Sequence, residues 1–389
     1  MSNLFELIYL ARMEFHPFLI LLLLILAFAN GTNDVSKGIA TLVGSGITNY
    51  RTAIFWGTAW TTVGACASGL VATAMVHTFS SGLIEPGTAI PPALALSALL
   101  GSITWVLVAS RTGLPVSTTH ALTGAIVGAG FIAFDGAGVI WPVITQKIVA
   151  PLLLSPLLAL AVSLLLHPAV RVLATRWEGA CVCLLPASRA LVMIDARGLT
   201  CTLFQATGFG QPVIAIPTQC DRAGLRGWII GLDSLHWVSS GLASLARGTN
   251  DAPKIVAMLL LGSTAASWRS PYLQVPLFVG VALAMGLGSY LGGLRVTQLL
   301  AEKVTSMDHA EGLSANLTTS SLVLVAAAMG LPVSTTHVSS SAIIGIGLLK
   351  GVTAIRWTTV RDMILAWIVT LPAAGVLACL AYLLLIRLL

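Results

Sequence analysis

Two segments of this chain occur twice, in the same order and at one spacing. Gly31-Thr32-Asn33-Asp34 returns as Gly248-Thr249-Asn250-Asp251, and the eight residues from Gly113 to His120 return unchanged as Gly330 to His337. The offset is the same for both, since 248 − 31 = 217 and 330 − 113 = 217. One offset shared by two separate motifs marks a duplicated unit, so the fold must accommodate two copies of one design.

The sequence around the motifs decides the class. Of 389 residues, 57% are hydrophobic and only 9% charged, against roughly 25% charged in soluble domains. Uncharged runs cover 17–29, 52–76, 87–110, 271–294 and 363–386, and several approach or exceed the roughly 20 residues that span a bilayer core. An all-α polytopic, multi-pass protein of the cell membrane is expected, with the lipid bilayer as its surroundings. The formal charge of +6 is spread over loops; it reads as a topology signal and excludes a nucleic-acid surface. The apolar run 17–29 enters the polar Asn30–Asp34 stretch without a small-residue cleavage site, so it is expected to be kept rather than removed as a signal.

Three parts follow: a first transmembrane repeat over 1–167, a hydrophilic insert over 168–230 and a second repeat over 231–389. Five apolar elements are predicted in the first repeat, near 18–48, 53–76, 88–110, 116–133 and 139–166. Five more fall near 232–266, 272–294, 313–329, 335–350 and 358–387. An odd number of crossings per unit turns the second copy upside down, and a re-entrant hairpin made by the third and fourth elements still leaves an odd number. The expected fold is two inverted-topology repeats with broken and re-entrant helices, meeting at a central site.

The insert is expected to be a small β-rich loop region, with strand-like runs at 179–185, 190–195 and 212–216. Its six arginines against three acids suggest the cytoplasmic side. Cys181, Cys183, Cys201 and Cys220 lie here. Four thiolates can ligate zinc, but the spacing lacks the tight paired loops of ordinary zinc sites. Cys181 and Cys183 also share one face of a predicted strand, where cysteine serves as a small buried hydrophobe.

The first motif puts ionisable groups into apolar sequence, where they are costly unless they bind something. A helix is expected to stop at Asn30-Gly31 and another to begin after Asn33 or Asp34. Oxygens of Asn33, Asp34, Asn250 and Asp251 suit a hard cation such as sodium, and free N–H groups at the break suit an anion. Lys37 and Lys254 each follow an aspartate by three residues, so each can pair with its own Asp or reach a shared ligand. The alternative is two neutral pairs that only stabilise the helices. In the second motif, Gly113 ends a helix, Pro115 blocks its continuation, and Ser117, Thr118 and Thr119 open the next, as do Ser334, Thr335 and Thr336 in the copy. Three hydroxyls at a helix N-terminus suit a tetrahedral oxyanion, although one of them commonly only caps the helix. His120 and His337 are either proton-linked groups or packing residues.

The doubled Gly-x-Asn-Asp and Gly-Leu-Pro-Val-Ser-Thr-Thr-His segments resemble those of the inorganic phosphate transporter (PiT) family. The resemblance spans both repeats and leaves the insert uncovered. It implies a secondary transporter of inverted repeats that moves phosphate, or in some members sulfate, with sodium or protons, and it implies a homodimer. It implies further that Asn33, Asp34, Asn250 and Asp251 take part in cation and anion coordination, and that Ser117, Thr118, Thr119, Ser334, Thr335 and Thr336 contact the oxyanion. One departure stands out: where the commonest family pattern carries asparagine, this chain carries Lys37 and Lys254, which points to weaker dependence on sodium. An anion channel, a membrane-embedded enzyme and a sensor fit less well. Charged pairs suit a saturable site better than a pore, and no nucleophile elbow, His-Glu-x-x-His pattern or nucleotide loop is present. No cofactor is expected beyond possible sodium ions.

Overall fold

The computed structural model describes residues 2–71, 73–80, 83–85, 90–136, 138–177, 181–185, 190–194, 201–205, 211–215, 229–262 and 271–388. Side chains are described over 17–70, 74–80, 83–85, 90–136, 138–175, 231–261 and 274–388. In the first half, α1 (Ser2–Asp34) and α2 (Ser36–Gly44) are separated by Val35 alone, followed by α3 (Tyr50–Val71), α4 (Thr73–Ser80), α5 (Pro92–Thr112) and α6 (Thr118–Ala133). A short helix and a π-helical turn then lead into α7 (Ala150–Trp177), which continues past residue 167. The second half comprises α8 (Leu232–Gly262), α9 (Pro271–Gly292), α10 (Leu294–Glu302), α11 (His309–Ala328), α12 (Thr335–Leu349) and α13 (Trp357–Leu388).

Each expected apolar element is therefore a helix. Among the described residues, five stretches are long and apolar enough to cross a membrane: Pro17–Gly44, Pro92–Thr112, Trp141–Thr175, Gln274–Gly292 and Trp357–Leu388. The apolar helices α6 and α12 have 16 and 15 residues, about 24 Å at most, short of the roughly 30 Å hydrocarbon core. Large exposed side chains lie along α7 and α13, among them Leu153, Leu157, Leu165, Ile368, Leu380 and Leu384. Such a surface is stable against lipid and not against water.

Between α1 and α7 on one side and α8 and α13 on the other, short strands occupy the insert. β1 (Cys181–Leu185) pairs antiparallel with β4 (Gln211–Ala215) and β5 (Ile229–Ile230), and β2 (Ala190–Ile194) pairs with β3 (Cys201–Gln205). Cys181 and Cys183 thus sit on β1 and Cys201 on β3 of the other sheet. Their side chains, and the whole of Cys220, lie outside the described residues.

The packing exchanges partners between the halves. Helix α1 packs on α9, while its counterpart α8 packs on α3. Helix α6 packs on α13, and its counterpart α12 on α7. The glycines of the first motif explain part of this. A methyl group at Gly31 would collide with the backbone carbonyl of Met285 on α9, and one at Gly248 with that of Thr61 on α3. The helices meet backbone to backbone at both places.

That close approach corrects one expectation. Asn30-Gly31 does not end a helix: α1 runs on to Asp34, with a one-residue interruption at Val35, and α8 passes through Gly248–Lys254 unbroken with Pro253 inside it. A glycine in a helix interior costs about 1 kcal/mol relative to alanine, and here the tight interhelical contact offsets it. The full set of free carbonyls and N–H groups expected at a helix break is therefore not formed in α8, where Pro253, lacking an N–H, leaves only the carbonyl of Thr249 without its helical donor.

Candidate functional site

The second motif folds as expected, and identically in both copies. Gly113 and Gly330 adopt left-handed backbone angles, φ 79° and 67°, which glycine reaches without steric cost. The following N–H of Leu114 returns to Ala109 O at 3.0 Å, and that of Leu331 to Ala326 O at 2.9 Å, closing a Schellman turn. Ser117 Oγ then accepts from His120 N–H, and Ser334 Oγ from His337 N–H, both at 3.2 Å. The two serines are N-caps in this structure, their hydroxyls committed to backbone. The two tips bond to each other reciprocally: Thr336 Oγ1 donates to Val116 O at 2.7 Å and Thr119 Oγ1 to Val333 O at 3.4 Å. Both pairs are related by the offset of 217.

The first motif lies against these tips. Asn30 Nδ2 is 3.0 Å from Asp34 Oδ2, 3.2 Å from Asp251 Oδ2 and 3.0 Å from Thr118 Oγ1. One amide thus joins the aspartates of both copies and a hydroxyl of the α6 tip, with its two hydrogens shared among three acceptors. Asp34, Asp251, Asn33, Asn250, Lys37, Lys254, Thr118, Thr119, Thr335 and Thr336 are all buried. Here buried carboxylates are tolerable because each is paired with a cation and held by further donors.

The copies use their lysines differently. Lys37 Nζ bonds Asp34 Oδ1 directly and also Asn33 O and Asn33 Oδ1, both at 2.9 Å. Lys254 Nζ stands 3.5 Å from Asp251 Oδ1 and instead donates to Thr119 Oγ1 at 2.8 Å and Val333 O at 3.1 Å. It reaches both hairpin tips. Asn33 Oδ1 accepts from Lys37 and from Val116 N–H at 3.2 Å, while Asn250 Oδ1 is buried without a partner. Asn250 Nδ2 donates to Asp251 Oδ1 at 2.8 Å and Val333 O at 3.2 Å.

One residue absent from the sequence-based site is Arg247. It is among the largest fully buried side chains, 1% exposed. Its guanidinium donates to Asn30 Oδ1 at 3.1 Å and Thr61 Oγ1 at 3.1 Å, and it lies 3.4 Å from Ser289 Oγ. By fixing Asn30 Oδ1 it aims the Asn30 amide at the two carboxylates. The signal was available in the sequence, because Arg247 immediately precedes Gly248 as Asn30 precedes Gly31. Identity between copies drew attention to the tetrapeptide and away from the position where they differ.

His120 and His337 stack with ring centroids 4.6 Å apart, and His337 lies against Trp367 at 4.1 Å. Both line a cavity of about 600 Å³ that is otherwise walled mostly by Leu, Ile, Val, Pro and Trp side chains of α7, α12 and α13. They pack ring to ring behind the tips. Among the described residues no cluster of three His, Cys, Asp or Glu could hold a metal ion.

Comparison with known proteins identifies the family. A profile of the phosphate transporter family matches residues 30–378. A Rhizobium meliloti protein named "Probable low-affinity inorganic phosphate transporter" is 28% identical over 366 residues, 94% of each chain. A Mycobacterium leprae protein of the same name is 30% identical over 379 residues, covering 95% of this chain and 79% of its own. A solved structure titled "The sodium-dependent phosphate transporter" superposes with a TM-score of 0.75 over 97% of this chain and 100% of that one, at 21% identity; it shows the shared fold. The matched profile spans both motif pairs and all the site residues, and the chain is a multi-pass membrane protein belonging to the phosphate transporter family.

Proposed function

We propose that this protein is a secondary transporter that carries inorganic phosphate by alternating access, with the two halves arranged as inverted repeats around one central chamber. The observation that carries this reading is the Asn30 amide, which bridges Asp34 of one half and Asp251 of the other beside the hydroxyl of Thr118. A chamber shared by both halves can face either side as they rock, which a site within one half cannot do. The reciprocal bonds of Thr119 and Thr336 support an inverted two-fold arrangement. The oxyanion is received at the hairpin tips by Lys254, Thr118, Thr119, Thr335 and Thr336, where helix N-termini favour negative charge. Lys254 is the principal cation for it, because it already spans both tips and is only loosely held by Asp251. Asp34 and Asp251 favour phosphate over sulfate, since a carboxylate accepts the hydrogen of a protonated phosphate and repels a fully ionised anion.

Sodium contributes little. The oxygens of Asp34, Asp251 and Thr118 that face one another converge on the Asn30 amide, and Lys37 saturates the other oxygen of Asp34; Asn250 Oδ1 is free, but one oxygen does not replace the hydration shell of a sodium ion. Coupling therefore runs through protons. Uptake of labelled phosphate into proteoliposomes, with sodium and pH gradients imposed separately, tests both parts. A pH gradient should drive accumulation, excess sulfate should compete weakly, and Lys254→Ala should raise half-saturation about tenfold, the loss of one charge-assisted contact. Strong stimulation by sodium alone that survives in the Lys37→Ala, Lys254→Ala double variant overturns the reading.

A further inference from the structure

Six charged side chains are buried among the described residues: Asp34, Lys37, Arg247, Asp251, Lys254 and Glu311. Glu311 pairs with Lys350 at 3.0 Å away from the motifs. Lys37 pairs with Asp34 and Lys254 with Asp251. Each of these pairs sums to zero, whichever partner holds the shared proton. Arg247 has no carboxylate partner among the described residues; its contacts are to Asn30, Thr61 and Ser289, and its Nε is buried without any partner. His120 and His337 line a cavity walled mostly by apolar side chains, where a charged imidazole is costly, and they enter the count as uncharged. Among the described residues the chamber is left with one unbalanced positive charge, on Arg247.

An unpaired buried guanidinium is costly, and a protein retains one where something of opposite sign arrives. The charge sits one hydrogen bond from Asn30, whose amide touches both aspartates. The repeat supplies the control, since the position 217 residues earlier is the neutral Asn30. We infer that Arg247 is the fixed counter-charge for the cargo and sets its net charge at minus one. The loaded chamber is then neutral with dihydrogen phosphate alone, or with a divalent oxyanion accompanied by one monovalent cation. Monohydrogen phosphate with one proton is the same unit as dihydrogen phosphate, so this inference rests on the carrier reading above and specifies its stoichiometry.

The experiment measures labelled phosphate and, in parallel, labelled sulfate in proteoliposomes clamped at several potentials with potassium and valinomycin. In the unaltered protein, inside-positive potential should raise equilibrium accumulation of either anion about tenfold per 59 mV, the response of one net charge. Sulfate, which holds no proton, should in addition require a cotransported cation. Arg247→Gln should flatten the response to potential and raise phosphate half-saturation at least about tenfold, as loss of a nearby charge at intermediate dielectric implies. Arg247→Lys should keep the response. Accumulation in the unaltered protein that ignores the potential, or that tracks two charges per anion, overturns the inference while leaving a carrier in place. So does an Arg247→Gln protein with an unchanged response. If that variant does not fold, the slopes of the unaltered protein for the two anions decide alone. Transport of sulfate but not phosphate, at one net charge, removes phosphate as substrate and upholds the counter-charge; transport of neither removes both.

Discussion

The same four residues, Gly-Thr-Asn-Asp, open two sites that are not alike. In the first copy every polar side-chain atom of the motif is engaged: Lys37 is drawn onto Asp34 and Asn33, and Asn33 Oδ1 holds the backbone of the α6 tip at Val116. In the second copy Lys254 leans away from Asp251, Asn250 Oδ1 has no partner, and Arg247 stands where the first copy has Asn30. The difference comes from flanking residues, not from the motif. Duplication supplied a symmetric frame, and divergence at single positions made one half a closed brace and the other a half-satisfied receptor. A ligand competing for donors meets less resistance in the second copy, because fewer internal bonds must be given up.

The largest expected break in this symmetry concerns stability. Lys37→Met strands Asp34 as a buried charge and should cost about 3–5 kcal/mol, read as a lower melting temperature in detergent. Lys254→Met should cost clearly less, because the Asp251 pair is longer and Asn250 also serves that carboxylate. Equal losses would mean that the looseness of the second copy has no energetic content. A middle-sized effect should be symmetric instead: Gly31→Ala and Gly248→Ala each force a methyl into a backbone carbonyl of the neighbouring helix, at about 1–3 kcal/mol apiece. A large gap between them would show that the exchanged packing differs between the halves. The smallest effect sharpens the hairpins. Ser117→Ala and Ser334→Ala should each lose about 1 kcal/mol, a capping bond, with phosphate half-saturation little changed. A tenfold rise in half-saturation for either serine would place its hydroxyl on the anion and not on the helix end.

Much of this architecture was legible in the sequence. Uncharged runs about as long as a bilayer is thick located the helices, and Gly113-Leu-Pro and Gly330-Leu-Pro marked turns that the backbone angles bear out. Those signals are local and each carries a mechanism. Asn30-Gly31 misled because its local preference is to end a helix, and a contact from α9, more than 250 residues away in sequence, overrides it. Arg247 was passed over for a related reason. Its place depends on Asn30, Thr61 and Ser289, which come from three other helices, and no window along the chain contains them together. β3 was not expected either; it exists as the antiparallel partner of β2.

The glycine contacts have a mechanical consequence. Where α1 meets α9 and α8 meets α3, main chain rests on main chain, and no pliable side chain lies between them to absorb sliding. Each couple must travel as a single strut. The same holds where α6 meets α13, because a methyl group at Gly124 or Gly128 would strike the main chain of Leu371 or Gly375, so a rearrangement that uncovers the lysines must move such couples as units.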